Sequence, residues 1–482
     1  MMLSMLLQDI ECQLDGSDVE VTSITSDSRQ VRAGALFVAV PGTAVDGHRF
    51  IPAAVEQGAA AVVSERHIDV AISSARVPDS RVAIALAARR FYSMPDEALT
   101  MVGVTGTNGK TTTATLIAGM LRSRRSASLG TLGLLRDGRR FDTGLTTPGP
   151  VALARILREL VDEGVGALAM EVSSHALHQH RVAGVSFDVG VFTNLSRDHL
   201  DYHETMDAYF NAKAMLFRER LRGAAVLNVD DEFGQKLARE FPDALTFGHG
   251  DAARVQVVRA QSDLSGIRVV VRIDGRTLEI ASPMVGDFNV SNVLAAVATG
   301  VALGLEDAEI IVGIEAVEAV PGRLERVSAE GQPLVFVDYA HTPDALEKVL
   351  SVLRPLTRGR LVAVMGCGGD RDVGKRSAMG AASAQGASFT YVTNDNPRTE
   401  DPVLIAQAIE RGMANVGAQR GEQYDVVLDR AEAIERAIRD SSADDVVLIA
   451  GKGHEDYQII GDVRRHFDDR EVARGVLAAV GG

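Results

Sequence analysis

Met101-Val102-Gly103-Val104 is a short apolar run of the kind a sheet buries on both faces, and it leads into Gly106-Thr107-Asn108-Gly109-Lys110-Thr111-Thr112. Beyond the glycines, Thr113, Leu116, Ile117, Met120 and Leu121 recur at helical spacing. Strand, glycine-rich turn and helix in that order leave few folds open. The backbone N–H groups at the start of the helix converge on an anion, and the strand needs parallel neighbours on both sides. Lys110 can neutralise the β and γ phosphates of a nucleotide, and Thr111 can offer its hydroxyl to Mg²⁺. The strict phosphate-loop spacing fails, because Val104 stands where its first glycine belongs and the glycines fall at 103, 106 and 109. An ordinary glycine-rich βα turn is the alternative reading of the same residues.

The rest of the chain supplies the parallel neighbours. Ala167 to Val172, Val189 to Thr193 and Ala225 to Val229 read as further buried strands with helical stretches between them. Ahead of them, Val21 to Glu97 alternates short apolar runs such as Ala35 to Val40 and Ala59 to Val63 with Gly/Pro turns, the pattern of a small α/β domain. Two alternating runs between Ile267 and Ile280 flank Asp274-Gly275 and read as a hairpin. A second α/β series follows Pro321-Gly322, with strands at Leu334 to Val337, Leu361 to Met365, Phe389 to Thr393 and Val446 to Ala450. The expectation is an α/β protein of three domains: residues 1–97, a small α/β domain; 98–322, a central parallel-sheet domain of P-loop type; and 323–482, a Rossmann-like domain.

With 482 residues and 46% hydrophobic types, such a chain can bury several cores. Its formal net charge of -15 repels nucleic acid and anionic membranes, so neither is expected as a partner. Cys12 and Cys367 are too few for a disulfide framework, and no apolar stretch approaches the ~18 residues of a membrane helix. The short apolar start, Met1 to Leu7, reads as a core element rather than a signal peptide. A cytoplasmic monomer acting on small molecules is the expectation.

Glu171 closes one strand and Asp198-His199 follows another, so both fall at carboxyl ends of parallel strands, where open α/β sheets bind ligands. Glu171 suits Mg²⁺ and His199 a second metal ion, since divalent cations offset the repulsion between ATP and an attacking carboxylate. Each alone could equally be a solvated or capping residue. His175, His178 and His180 do not share one helical face, so His178 and His180 read as structural and no zinc site is expected.

Taken together, Gly106 to Thr112, Thr146-Thr147-Pro148, Glu171-Val172-Ser173-Ser174-His175, Thr193 to His203 and Asp338-Tyr339-Ala340-His341-Thr342-Pro343-Asp344 resemble the Mur ligase family, in particular its tripeptide-forming branch, and the resemblance covers all three domains in order. It implies an ordered reaction. ATP phosphorylates the terminal carboxylate of a UDP-sugar dipeptide, an amine attacks the acyl phosphate, and phosphate leaves. The family's ATP site maps onto Gly106, Thr107, Asn108, Gly109, Lys110, Thr111 and Thr112, onto Asn289 and Asn292, and, arriving with domain closure, onto Arg323 and Asp338. Two Mg²⁺ ions are implied, held by Thr111, Glu171, His199 and Lys213, the last carrying a CO₂-derived carbamate that makes it a carboxylate-like ligand. Without the resemblance Lys213 would read as a plain surface lysine. Lys110, Glu171, His199 and Lys213 are the implied catalytic set. The first domain would bind UDP through Ser26, Ser28 and the turn at Thr43, and Thr146, Thr147, Ser173, Gln179 and Arg181 match the dipeptide positions.

The third domain would choose the amino acid. Asp395-Asn396-Pro397-Arg398 looks like the family's signature for meso-diaminopimelate, whose distal carboxylate the guanidinium pairs and which lysine lacks. Arg371, Gly451 and Glu455 match the remaining contacts. Taken alone, Asn-Pro is a turn signal and the segment a surface loop. Ser377 and Leu145 depart from the family pattern without removing a charged contact. The same reaction with L-lysine, the related folylpolyglutamate or D-alanyl-D-alanine ligases and a P-loop switch ATPase are the competing readings. A dinucleotide dehydrogenase built on Gly366-Cys367-Gly368-Gly369 lacks the third glycine, because Arg371 occupies its place.

Overall fold

Every apolar run read as a buried strand is a strand in the computed structural model, which describes residues 1–42, 45–329 and 331–480. These residues gather into two units, one of residues 1–258, 271–278 and 291–316, the other of residues 259–270, 279–290 and 317–482.

The first unit holds two sheets. Residues Leu3, Leu6 and Leu7 of the apolar start are buried, as a core element should be. They pack beneath a five-stranded sheet ordered Gln13–Asp15, Ser73–Arg76, Ala61–Ser64, Ala35–Val38 and Ser23–Thr25, all parallel except the first. The larger sheet is centred on β1 (Thr100–Thr105), which lies between β2 (Ala167–Glu171) and β3 (Phe187–Phe192), all parallel. Ser126–Gly130 and Leu221–Asn228 extend it in parallel on the two sides. β2 is buried along its whole length, as a two-faced parallel strand must be. Helix α1 (Lys110–Met120) follows β1 directly, and α2 (Met206–Glu219) packs Tyr209, Phe210, Ala214, Leu216 and Phe217 into the core. Register decides where the chemistry lies. Glu171 pairs with Val104 and Phe192 with Thr105, so the ends of β2 and β3 come level with the turn that follows β1. The expected hairpin is present, its turn at Asp274 (φ 46°) and Gly275 (φ 85°) between strands Gly266–Ile273 and Arg276–Ser282, of which residues 271–278 belong to this unit and the rest to the second.

The second unit is built on β4 (Leu334–Asp338), β5 (Leu361–Met365), β6 (Phe389–Val392) and β7 (Val446–Ala450), parallel in the order β4-β7-β5-β6. Glu325–Arg326 adds an antiparallel edge beside β4 and Tyr424–Val426 a parallel one beside β6. Thr342-Pro343-Asp344 starts α3 (Pro343–Leu356) as its residue types suggest, Thr342 accepting the N–H of Ala345. Strands Tyr457–Ile460 and Val463–His466 form a hairpin that the sequence reading did not identify. The core runs through β4, β5 and β7, where Phe336, Ala363 and Leu448 belong to one apolar cluster.

Candidate active site

The turn after β1 is shaped for a phosphate. Gly109 is the N-cap of α1 with φ 82° and, having no side chain, offers no cap of its own to the first-turn N–H groups. Gly106 has φ 151°, and a Cβ there would lie 1.9 Å from Thr193 Oγ1, so only glycine fits. The loop is pinned from the end of β3. Thr193 Oγ1 donates to the carbonyl of Asn108 at 2.6 Å, and the N–H of Asn108 donates to Asn194 Oδ1 at 2.9 Å. Thr107 Oγ1 lies 3.2 Å from both the Tyr209 hydroxyl and the Ser196 carbonyl. Lys110 Nζ folds over the loop, donating to the carbonyls of Gly106 (3.0 Å) and Thr107 (2.8 Å). Thr111 and Thr112 are buried in the first turn of α1. One turn on, Thr113 Oγ1 donates to Asn292 Oδ1 at 3.3 Å, which places Asn292 against α1. Asn289, on the same helix (Phe288–Ala302), donates to the carbonyl of Val285 at 2.8 Å.

Glu171 and Lys213 stand at the edge of this loop. The buried Glu171 carboxylate accepts from the N–H of Thr131 at 2.8 Å and from its hydroxyl at 3.1 Å. Lys213 Nζ is buried, donates to the Gly106 carbonyl at 2.7 Å and sits 4.6 Å from the centre of the Tyr209 ring. Burial, and after it the charge of Lys110, hold this amine well below its ordinary pKa. A neutral amine is nucleophilic, as addition to CO₂ requires, so the environment of Lys213 fits the carbamate that the resemblance implies. His199 is a half-exposed residue at φ 52°, its ring 4.9 Å from that of His175. Among the described residues no group of three or more His, Cys, Asp or Glu is arranged to hold a metal ion. The oxygens of Thr111 and Glu171 are of the kind that Mg²⁺ takes, one or two from protein with phosphate and water completing its shell.

His175 and His203, which the sequence motifs contain without assigning them a role, pack together in this region. His203 is buried, shares a hydrogen bond with Ser174 Oγ at 2.9 Å and stacks on Tyr209 at 5.1 Å. Burial, then the neighbouring His175, pull its pKa down to about 4. His175 joins the group, 4.3 Å from the Tyr202 ring and 5.4 Å from His203. The available signal was His203 closing the run from Thr193, read there only as part of a motif. His178 bonds the Tyr202 hydroxyl at 2.9 Å, and His180 lies 3.9 Å from Asp79.

The residues matched to dipeptide binding converge beside Glu171. Thr147 Oγ1 donates to the Glu171 carbonyl at 2.9 Å and accepts the N–H of Ser173 at 3.1 Å, while Thr146 Oγ1 lies 3.2 Å from Thr131 Oγ1. The Arg181 guanidinium donates to Gln179 Oε1 at 2.7 Å and to the Thr147 carbonyl at 3.2 Å, both neutral acceptors. Its charge is therefore available to an incoming carboxylate or phosphate. Ser26 and Ser28 lie far along the chain, in the loop after the strand Ser23–Thr25, where Asp27 caps the short turn Ser28–Gln30. Thr43, expected beside them, lies outside the described residues.

In the second unit a cavity of about 320 Å³ opens at the carboxyl ends of β5, β6 and β7, lined among others by Arg371, Asp395, Asn396, Arg398, Gly451 and Glu455. All six were singled out from sequence. The seventh, Pro397, lies in the same loop and accepts the N–H of Glu400 at 3.1 Å. Arg398 is held at φ 51° with Nη1 donating to the Gly369 carbonyl at 2.7 Å, and Asn396 Nδ2 donates to Glu455 Oε2 at 3.1 Å. Burial, then Asp395, push the Glu455 carboxyl upward. The residues expected at ATP from this unit lie close together. Asp338 accepts the N–H groups of Leu324 (2.7 Å) and Ala340 (2.8 Å), burial raising its pKa, and the Arg323 guanidinium sits 5.1 Å from the Tyr339 ring centre.

Beneath the cavity is a pair that sequence spacing could not signal. Arg430 and Asp469 are fully buried and doubly bonded at 2.7 Å, and Arg430 also donates to the carbonyls of Asn394 (3.3 Å) and Ala450 (3.0 Å). Those carbonyls immediately precede Asp395 and Gly451, so one guanidinium ties together the two loops that carry the pocket.

Three family descriptions cover the chain: "Mur ligase family, catalytic domain" over residues 20–100, "Mur ligase middle domain" over 104–300 and "Mur ligase, glutamate ligase domain" over 322–453. A UDP-N-acetylmuramoyl-L-alanyl-D-glutamate--2,6-diaminopimelate ligase of Gloeobacter violaceus is 44% identical over 467 residues, covering 96% of this chain and 94% of that one. The protein of the same name from Bacillus cereus is 40% identical over 95% of this chain and 94% of its own. A solved structure with that name superposes with a TM-score of 0.72 at 35% identity, covering 96% of both chains. With all three family segments present in order and relatives this similar along nearly the whole chain, the protein belongs to the Mur ligase family.

Proposed function

We propose that this ligase adds meso-diaminopimelate to UDP-N-acetylmuramoyl-L-alanyl-D-glutamate with ATP as the energy source, in the cytoplasmic synthesis of peptidoglycan precursor. The observation that carries this reading is the pocket where Arg371 and Arg398 stand with Asp395 and Glu455. Two guanidiniums and two carboxylates complement an amino acid bearing two carboxylates and two amines. Lysine would leave one guanidinium desolvated and unpaired, a cost of the kind that gives binding sites their selectivity.

The chemistry proceeds by activating a poor electrophile. A carboxylate does not react with an amine, so the dipeptide's terminal carboxylate first takes the γ phosphoryl group of ATP, and ADP leaves. The amine then attacks the acyl carbon, phosphate departs and an amide remains. Lys110 and the first-turn N–H groups of α1 hold the transferring phosphate, while Thr146, Thr147, Ser173, Gln179 and Arg181 orient the carboxylate. Thr111, Glu171, His199 and a carbamylated Lys213 would hold two Mg²⁺ ions, which offset the charge of the phosphates. Asn289, Asn292, Arg323 and Asp338 would contact the rest of ATP, and Ser26, Ser28 and Thr43 the uridine diphosphate. The protein is proposed to act as a monomer.

Incubation with ATP, Mg²⁺, the UDP-sugar dipeptide and meso-diaminopimelate should yield one new UDP-sugar species heavier by one diaminopimelyl residue on mass analysis. Release of phosphate with no such species would reject the assignment.

A further inference from the structure

Lys452 takes no part in the contacts assigned above, although it lies in Gly451-Lys452-Gly453-His454-Glu455 between two of them. Its side chain is 0% exposed. Nζ lies 3.4 Å from Asp395 Oδ1, 3.2 Å from Asn396 Oδ1, 3.4 Å from Glu455 Oε2 and 5.5 Å from the centre of the Tyr457 ring. All four of those neighbours line the cavity, whereas the lysine itself stands behind them. A buried ammonium is costly unless its partners are held against it, so its presence fixes the side chains of Asp395, Asn396 and Glu455 as a set.

The charges on the cavity wall close only when this lysine is included. Arg371, Lys375 and Arg398 are balanced there by Asp372, Asp395 and Glu455, which leaves the wall neutral, and Lys452 raises the sum to one positive charge. Diaminopimelate poised to react carries two carboxylates, one ammonium and one neutral amine, a net charge of minus one. Lysine in the same state carries one carboxylate, one ammonium and one neutral amine, a net charge of zero.

We propose that Lys452 is a specificity-determining residue, a buried cation that gives the pocket the single positive charge by which it prefers a diamino dicarboxylate to a diamino monocarboxylate. This rests on the diaminopimelate-adding reading above. Lys452 touches no substrate and acts through Asp395 and Glu455, whose negative charge it offsets where the second carboxylate binds.

The test compares kcat/KM for meso-diaminopimelate and for L-lysine in the full-length wild type, Lys452→Met and Lys452→Gln, with thermal unfolding run alongside. Lys452→Gln keeps a donor toward Asp395 and Glu455 but not the charge, and serves if the methionine variant does not fold. In either variant kcat/KM for diaminopimelate should fall about 30-fold while that for lysine changes little, so the preference narrows by about tenfold or more. KM for ATP should stay at the wild-type value. An equal loss for both amino acids, or an undiminished preference, overturns the proposal. A wild type that fails to turn over diaminopimelate at all sinks the underlying function reading and this inference with it.

Discussion

Lys213, Arg398 and His203 each draw their chemistry from a neighbour only a few ångströms away. The Lys213 amine lies under the shared influence of burial and Lys110, and the Gly106 carbonyl that accepts its proton is also the one that Lys110 bonds. One backbone turn thus couples the phosphate loop to the amine. Replacing Lys110 by Met should leave the fold intact and lower kcat by about 10²–10³-fold, the usual consequence of removing a charge aimed at the transition state. Arg398→Lys trades a fork for a point charge, so KM for diaminopimelate should rise about tenfold with KM for ATP unmoved. An unchanged diaminopimelate KM would remove Arg398 from the site. His203 gives a pH dependence with a definite sign. Its folded pKa of about 4 lies below the ordinary 6.5, so the unfolded chain binds a proton that the folded one refuses. That contribution to stability is complete above pH 6.5 and is lost as pH falls toward 4, approaching a slope of one proton taken up on unfolding. Chemical denaturation of wild type and His203→Gln across that range should show the variant losing less stability; parallel curves would assign the acid sensitivity elsewhere.

At the scale of elements, the strands legible in the sequence are the ones that parallel sheets bury on both faces. β1, β2, β5 and β7 are apolar through their interiors because both faces of each are buried, and helical periodicity marks α1 in the same way. The strand Tyr424–Val426 and the hairpin of Tyr457–Ile460 with Val463–His466 escaped notice because they are short and partly or wholly exposed, which leaves no periodicity to read. Motif residues were legible where glycines, lysines and carboxylates cluster within a few positions, as at 106–112 and 395–398. Arg430 and Asp469 were not, since 39 residues separate them and only the packing of their helices brings them together. Asp469→Ala would leave a buried guanidinium without its counter-ion and should cost about 3–5 kcal/mol of stability by denaturant titration. Thr342→Ala removes only the cap of α3 and should cost about 1 kcal/mol. Equal losses in the two variants would contradict the brace assigned to Arg430.

The whole molecule carries a formal charge of -15, yet its proposed substrates are a triphosphate, an acidic nucleotide-sugar peptide and an amino acid with two carboxylates. Local cations resolve that conflict: Lys110 and Arg181 in one unit, and Arg371, Arg398 and Lys452 in the other. Because the phosphate loop belongs to one unit and the amino-acid pocket to the other, ATP cleavage should depend on ligands that bind far apart in sequence. Phosphate release from ATP, followed with a panel of amino acids, tests this most directly. It should occur at an appreciable rate only when the UDP-sugar dipeptide and meso-diaminopimelate are both present, with L-lysine a much poorer substitute. Steady release with neither of them, or equal turnover with L-lysine, would contradict the account.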